Sequence, residues 1–283
     1  TIGVDINKDA LGRFLFDKFY VIPKPDVDSE NEFIESLLEI VKKNNVKIII
    51  PQVTKELFIL ARKKDYFEEI GCKILINDFE NISLLNSKVE LLDFLKKINI
   101  AVPKYFRVHT KQELLQAVSE LGYPKEKVVV KIPVSNGMRG LRILDASFDK
   151  LNAFINQKPD TLFTTLEDFL SMFPNELSME LLLMEYLPGK EISIDCLADN
   201  GEPVLILPRT RDVIRTGISF KGKAIKEDYL IDVCNKIIKE LNLNYMFGFQ
   251  CKYNSQNVPM ILESNPRIQG TMAVSKYCNA NVI

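Results

Sequence analysis

The stretch "ILESNPRIQG", residues 261–270, runs an apolar segment into Glu263 and then Asn265, with Pro266 and Arg267 directly after. Strand side chains alternate, so Glu263 and Asn265 share a face if the strand persists that far. Upstream, "YMFGFQCKYNSQNVPMILES" reads as a hairpin with a polar turn, and its first strand carries Gln250. A hairpin brings Gln250 beside the other two. One carboxylate and two amides are oxygen ligands, a set that suits Mg²⁺, which keeps waters and phosphate oxygens in its shell. Pro266 stops the strand, and Arg267 has the fork to hold a phosphate through two bonds. Taken alone, the same residues also suit a polar strand end capped by a turn.

Two further stretches carry weaker signals. In "VVVKIPVSNGMRGLRIL", Lys131 closes an apolar strand, where a charge is costly unless an anion pairs with it. Ser135 opens the loop, and Gly137 and Gly140 let a backbone approach a phosphate closely. The loop is neither a Walker A motif nor G-x-G-x-x-G. A glycine-containing hairpin loop with a solvated lysine fits it equally well. In "MEYLPGKEISIDC", Glu185 ends one apolar strand and Glu191 begins the next, across a Pro-Gly break. Such a linker can offer backbone groups to a purine edge, and the following carboxylate can accept ribose hydroxyls. A surface turn between strands is the alternative.

The elements that position these residues are legible from periodicity. The first third alternates short β-rich runs with amphipathic helices, which predicts a parallel sheet with crossover helices. "SENEFIESLLEIVKKNN" reads as a helix with a capping box at Ser29 and Glu32, and Phe33, Leu37 and Val41 on one face. "VKIIIP" reads as a strand suited to burial on both faces. "NISLLNSKVELLDFLKKINI" is helical. The remainder reads as antiparallel α+β, with a turn at Asp199-Asn200-Gly201 and a helix over "KEDYLIDVCNKIIKELN". The chain opens inside a strand-like run and ends inside a helical pattern, so it reads as a fragment trimmed at both ends.

Composition narrows the function classes. A net charge of −1 gives no reason for non-specific nucleic-acid or acidic-membrane binding. No apolar run approaches the roughly 18 residues of a membrane span, and no signal peptide is visible. The five cysteines, Cys72, Cys196, Cys234, Cys251 and Cys278, are scattered and read as reduced thiols of a cytoplasmic protein. The single histidine, His109, precedes a helix and supports no Ser-His-Asp triad.

In order, the chain presents a strand lysine, a glycine loop, Glu–Pro-Gly–Glu, a strand Gln and Glu-x-Asn-Pro-Arg. This order resembles the ATP-grasp superfamily, and most of all a carbamoyl-phosphate-synthase large-subunit type of unit, from about Lys88 to the end. The resemblance implies an α/β, Rossmann-like pre-ATP-grasp domain over residues 1–86, lacking its first strand, and an α+β, two-lobed ATP-grasp domain over 87–283. Within the latter, the small lobe spans about 108–184 and the large lobe 185–283 plus 87–107. It implies ATP and Mg²⁺ (or Mn²⁺) as cofactors. Lys88 and Lys131 resemble the phosphate-holding bases, and residues 135–140 the flexible loop over them. Glu185, Tyr186 and Leu187 resemble the adenine-contacting linker and Glu191 the ribose ligand. Gln250, Glu263 and Asn265 resemble the metal group. Arg267 resembles a basic residue at the reacting phosphate, and Arg209, Arg211 and Arg215 resemble substrate- or phosphate-facing residues.

The implied reaction is ATP-dependent activation of a carboxylate as an acyl phosphate, followed by attack of an amine. The expected partners are small molecules, without nucleic acid or membrane, and a homodimer is compatible with the family. Gln269-Gly270 stands where the synthases usually carry Ser-Arg, and only one ATP-grasp unit is present. Two alternatives therefore stand beside the ligase: a synthase-like subunit acting on bicarbonate or carbamate, and a non-catalytic nucleotide-binding module.

Overall fold

The computed structural model describes the chain apart from residues 136, 159–161, 174, 216 and 279–283. Among the described residues the secondary structure gathers into an N-terminal α/β unit and two β-containing lobes.

The N-terminal unit holds strands β1 (Ile2–Asp5), β2 (Lys18–Val21), β3 (Ile48–Ile49) and β4 (Lys73–Ile74), with helices α1 (Glu30–Asn44), α2 (Thr54–Arg62) and α3 (Lys64–Glu69). Pairing is parallel, β1 with β2 and β3 with β4. Phe33, Leu37 and Val41 do form the buried face of α1, together with Ile34 and Ile40. Its start differs from the sequence reading. Ser29 makes no side-chain cap, because its Oγ donates instead to the Lys24 carbonyl at 2.6 Å. "VKIIIP" is not buried on both faces either: Ile48 is 54% and Ile50 42% exposed, so helices cover one face only.

Helices α4 (Phe79–Asn86) and α5 (Lys88–Lys97) lead out of this unit. They are two helices rather than one, because Ser87 adopts extended backbone and caps α5 by accepting from the Glu90 amide. Asn77, just before α4, holds the chain to the large lobe. Its amide group donates to the Asn244 carbonyl at 2.8 Å and accepts from the Asn244 N–H at 2.7 Å, as a paired backbone would.

The small lobe is a five-stranded sheet in the order β5-β9-β6-β7-β8, comprising β5 (Tyr105–Val108), β6 (Val128–Lys131), β7 (Leu141–Leu144), β8 (Phe163–Thr164) and β9 (Leu181–Glu185). Its first strand, β5, pairs with β9 from Tyr105 on. Helices α6 (Lys111–Glu120), α7 (Lys150–Asn156) and α8 (Leu166–Ser171) complete it. Alternation splits the sheet cleanly. Val128, Val130, Leu181 and Leu183 pack with α6 and α8. Val129, Ile143, Leu182 and Met184 face the other way, onto Val89 and Leu92 of α5. His109 is exposed, and its backbone N–H donates to Glu113 beside the Thr110 capping box.

The large lobe is a four-stranded antiparallel sheet in the order β11-β10-β14-β15, formed by β10 (Glu191–Asp199), β11 (Glu202–Thr210), β14 (Tyr245–Tyr253) and β15 (Pro259–Asn265). Asn200 and Gly201 both take positive φ at the β10–β11 turn, which suits a two-residue hairpin. A ribbon of β12 (Val213–Arg215) and β13 (Ile218–Lys221) projects after β11, and helix α9 (Asp228–Glu240) crosses behind the sheet. One sheet face, with Ile192, Ile194, Phe247, Phe249 and Ile261, packs on α9 and α5. Residues 272–278 form a 3₁₀ helix rather than an α-helix. Among the described residues no helix is long and apolar enough to cross a membrane.

Candidate nucleotide and metal site

The face of the large-lobe sheet opposite the core is polar, and its register fixes who meets whom. Ser193 lies opposite Gln250, and Gln250 opposite Glu263. In the next row Asp195 lies opposite Gly248, and Gly248 opposite Asn265. Glu191 lies opposite Lys252 at the edge of the same face. Cross-strand partners hold their Cβ atoms about 4.5–5.5 Å apart, so Gln250, Glu263 and Asn265 form one cluster. A bulge between Gln250 and Cys251 preserves that pairing while the register shifts beyond it.

Facing this surface are the lysines. Lys88 opens α5, its side chain 7% exposed, and its Nζ donates to the Ser135 carbonyl at 3.0 Å and lies 3.9 Å from Glu263. Lys131 shares the strand face of Val129, which looks toward α5 rather than toward the lobe's own core. Burial lowers the pKa of Lys88, with Glu263 opposing and Lys131 reinforcing the shift. Lys252 behaves alike: burial lowers it, Glu191 opposes, and Lys131 reinforces. Two lysines lowered by burial, each depressed further by Lys131, make a site that gains from an anion. That cavity measures about 690 Å³, and its walls include Lys88, Lys131, Glu191, Gln250, Glu263 and Asn265.

Ser135 and Gly137 line the cavity with Arg139. Gly137, Met138 and Gly140 all have positive φ, so the loop turns on left-handed residues, one of them non-glycine. Gly140 does not line the cavity: its missing Cβ would meet the Ile132 side chain at 2.5 Å, so it serves close packing at the base of the loop. Asn136, inside the expected loop of residues 135–140, lies outside the described residues.

Other sequence-derived residues fall elsewhere, each for a physical reason. Glu185 shares the strand face of Leu181 and Leu183, away from the cavity, and accepts from the Lys104 N–H at 2.8 Å. Leu187 is buried, and Tyr186 reaches the site only through its ring, 5.1 Å from the Lys252 Nζ. Arg209 faces no open substrate space. It is 2% exposed, bonds both oxygens of the fully buried Asp195 at 2.8 and 3.1 Å, and donates to Thr271 Oγ1 at 2.6 Å. Arg215 is exposed and stacks on Phe220, whereas the preceding Ile214 lines the cavity. Arg211 does line it, gripped by Ser193, Gly217 and Glu191. Arg267 also lines it, and its Nε donates to Thr54 at the start of α2, at 3.0 Å. Burial lowers the Arg267 pKa, opposed by Glu56 of the same helix, so the N-terminal unit sets this side chain.

Lys252 and Gln269 are polar wall residues to which the sequence reading gave no role. Lys252 stands two positions beyond Gln250, and alternation alone would have placed both on one face. Gln269 is 7% exposed, and its Nε2 is buried with no hydrogen-bond partner. It occupies the space left by Gly248, where a Cβ would come within 1.8 Å of that nitrogen. No spacing rule exposes such a contact.

Comparison with known proteins agrees with this architecture. Residues 178–283 match the family described as ATP-grasp in the biosynthetic pathway with Ter operon, and residues 1–75 match the PylC-like N-terminal domain. A biotin carboxylase of Campylobacter jejuni, solved as a β-γ-ATP complex, superposes over 98% of this chain and 61% of its own, with a TM-score of 0.70 at 16% identity. The ADP complex of N5-carboxyaminoimidazole ribonucleotide synthetase superposes over 97% of this chain and 66% of its own, with a TM-score of 0.71 at 17% identity. The fold is the ATP-grasp fold, and the two family models each match part of the chain. In sequence the chain is similar to the carbamoyl phosphate synthase large chain of Clostridium acetobutylicum, 28% identical over 256 residues. The match takes in 87% of this chain but spans only 22% of that relative's length.

Proposed function

We propose that the chain is the ATP-binding unit of an ADP-forming ligase that activates a carboxylate as an acyl phosphate for attack by an amine. One observation carries this reading: the Gln250–Glu263 cross-strand pair and Asn265 line the same cavity as Lys88, Lys131 and Lys252. Phosphoryl transfer asks a protein for positioning and charge neutralisation rather than a covalent nucleophile. This cavity supplies both signs of charge at fixed places.

The donor set fits Mg²⁺ or Mn²⁺. Gln250, Glu263 and Asn265 offer one carboxylate and two amide oxygens from one sheet face, and a single acid leaves room for phosphate oxygens in the shell. A metal held there would offset phosphate charge. Lys88 and Lys131 hold phosphate oxygens, with Lys88 braced by Ser135. Glu191, beside Lys252, takes the ribose hydroxyls, and the 185–187 segment contributes backbone to the adenine edge. Arg267, fixed by Thr54, faces the transferring group. Leu141, Ile143 and Leu262 give the cavity an apolar wall suited to a purine. The protein acts on small molecules in the cytoplasm.

The lysines give a direct test. Titration calorimetry should show Mg-ATP binding to the parent at one site, and Lys131→Met should weaken it about 10- to 100-fold, equivalent to roughly 1.4–2.8 kcal/mol. Equal affinity in the two proteins would remove Lys131 from the phosphate site. A synthase-like reaction on bicarbonate is the same chemistry with the smallest acid, and the similarity to carbamoyl phosphate synthase favours including it in any substrate panel.

A further inference from the structure

We propose that Arg211 is a positioning residue that ties the ribbon of β12 and β13 to Glu191, so that the ribbon's order depends on the nucleotide site. This rests on the nucleotide reading above. The ribbon needs an anchor. Two-stranded ribbons are marginal on their own, and this one leaves Val213, Ile214, Ile218 and Phe220 from 37% to 63% exposed. Its strands pair with each other, and the Asp212 N–H donates to the Lys221 carbonyl at its base.

Arg211 supplies the anchor nearer the turn. Its side chain is 5% exposed. Nη2 donates to the Gly217 carbonyl at 2.6 Å, and Nη1 donates to Ser193 Oγ on β10 at 3.2 Å. Nε lies 3.4 Å from a Glu191 carboxylate oxygen yet makes no hydrogen bond. Arg211 therefore gives Glu191 a charge partner without occupying it in a directional bond, and the carboxylate keeps its capacity for hydroxyl donors. The far side of the ribbon meets the glycine loop, since a Cβ on Gly217 would lie 3.1 Å from the Met138 side chain. Ile214 and Ile218 also line the cavity. One guanidinium thus touches the nucleotide-facing acid and the ribbon that walls the cavity.

The charge and the fork of Arg211 are separable. Arg211→Lys keeps a cation near Glu191 but loses the planar fork that reaches Gly217 and Ser193 together. Arg211→Met loses both. The experiment is hydrogen exchange on β12 and β13, with and without the non-hydrolysable analogue Mg-AMPPNP, alongside calorimetry with the same analogue. Both variants should exchange these amides about tenfold faster than the parent without nucleotide, the loss expected for one charge-assisted hydrogen bond. Exchange in β10 and β14 should be unchanged, which certifies the fold. Mg-AMPPNP should protect the ribbon in the parent and not in either variant. Its affinity should fall about tenfold in Arg211→Met and by less in Arg211→Lys, which keeps the cation. Ribbon exchange identical in the three proteins, with normal nucleotide binding, would overturn the role of Arg211 alone. A parent that binds no Mg-AMPPNP would instead overturn the nucleotide reading, and the coupling with it.

Discussion

Glu263→Gln should lose ADP formation by about 100-fold or more while its melting temperature moves by only a few degrees. The amide keeps the shape and most of the hydrogen-bonding capacity of the acid but removes the charge that attracts a divalent cation. Metal stabilisation of phosphoryl charge is worth several kcal/mol, and each 1.36 kcal/mol is tenfold in rate. The fold has little at stake here. The Glu263 side chain is 29% exposed, and Lys88, its ion-pair partner at 3.9 Å, keeps its bonds to the Ser135 carbonyl and hydroxyl.

The pH dependence of that variant has a definite sign. Burial already holds Lys88 below its ordinary value of 10.5, and Glu263 is the group that opposes the shift. Without Glu263 the folded-state pKa falls further, so the unfolded chain binds the proton more readily. Stability then rises with pH between the depressed value and 10.5, and is lost as pH falls through the depressed value. The variant's deficit should therefore shrink from neutral toward alkaline pH. If Glu263 only capped a turn, turnover would survive the change, and that outcome would contradict the metal role.

The largest stability effect should come from a residue that the sequence offers as a substrate contact. Arg209→Met leaves Asp195, which has no exposure, without its bidentate partner and Thr271 without its donor. Breaking one side of a buried pair costs about 3–5 kcal/mol, on the order of 10 °C in melting temperature. The double change Asp195→Leu with Arg209→Met removes both charges and should recover much of the loss, because the desolvation of both ions disappears as well. Thermal unfolding of the parent, the single and the double variants decides it. A single variant as stable as the parent would mean that the pair does not hold the 269–272 segment against the sheet.

What was legible follows from which signals are periodic. Glu263, Asn265 and Gln250 could be placed together because strand alternation and a hairpin turn fix the register to within a residue. The turn at Asn200-Gly201 was legible because two left-handed residues in succession demand that chemistry. Arg209 and Arg211 show the limit. They sit two apart and share a sheet face, yet one is consumed by Asp195 and the other by Glu191, Ser193 and Gly217. Deciding between them required the pairing of β10 with β11, a non-local fact. Glu185 shows the same gap, since parity along β9 turns its side chain away from the cavity and leaves only its backbone to face a nucleotide. The Ser29 cap failed through competition, because a nearer carbonyl, that of Lys24, took the hydroxyl. The Asn77–Asn244 clasp joins residues far apart in sequence, and no local pattern marks either one.

The central claim is that this cavity uses ATP to activate an acid. Its most direct test is ADP formation by the parent protein with Mg-ATP, across a panel of amino acids, small carboxylic acids and bicarbonate, each with and without an amine. The predicted result is ADP release that depends on one acid, with hydroxylamine trapping that acid as its hydroxamate, and that is lost in Glu263→Gln. Tight binding of Mg-ATP with no acid-dependent ADP from any member of the panel would contradict the ligase and leave a nucleotide-binding module in its place.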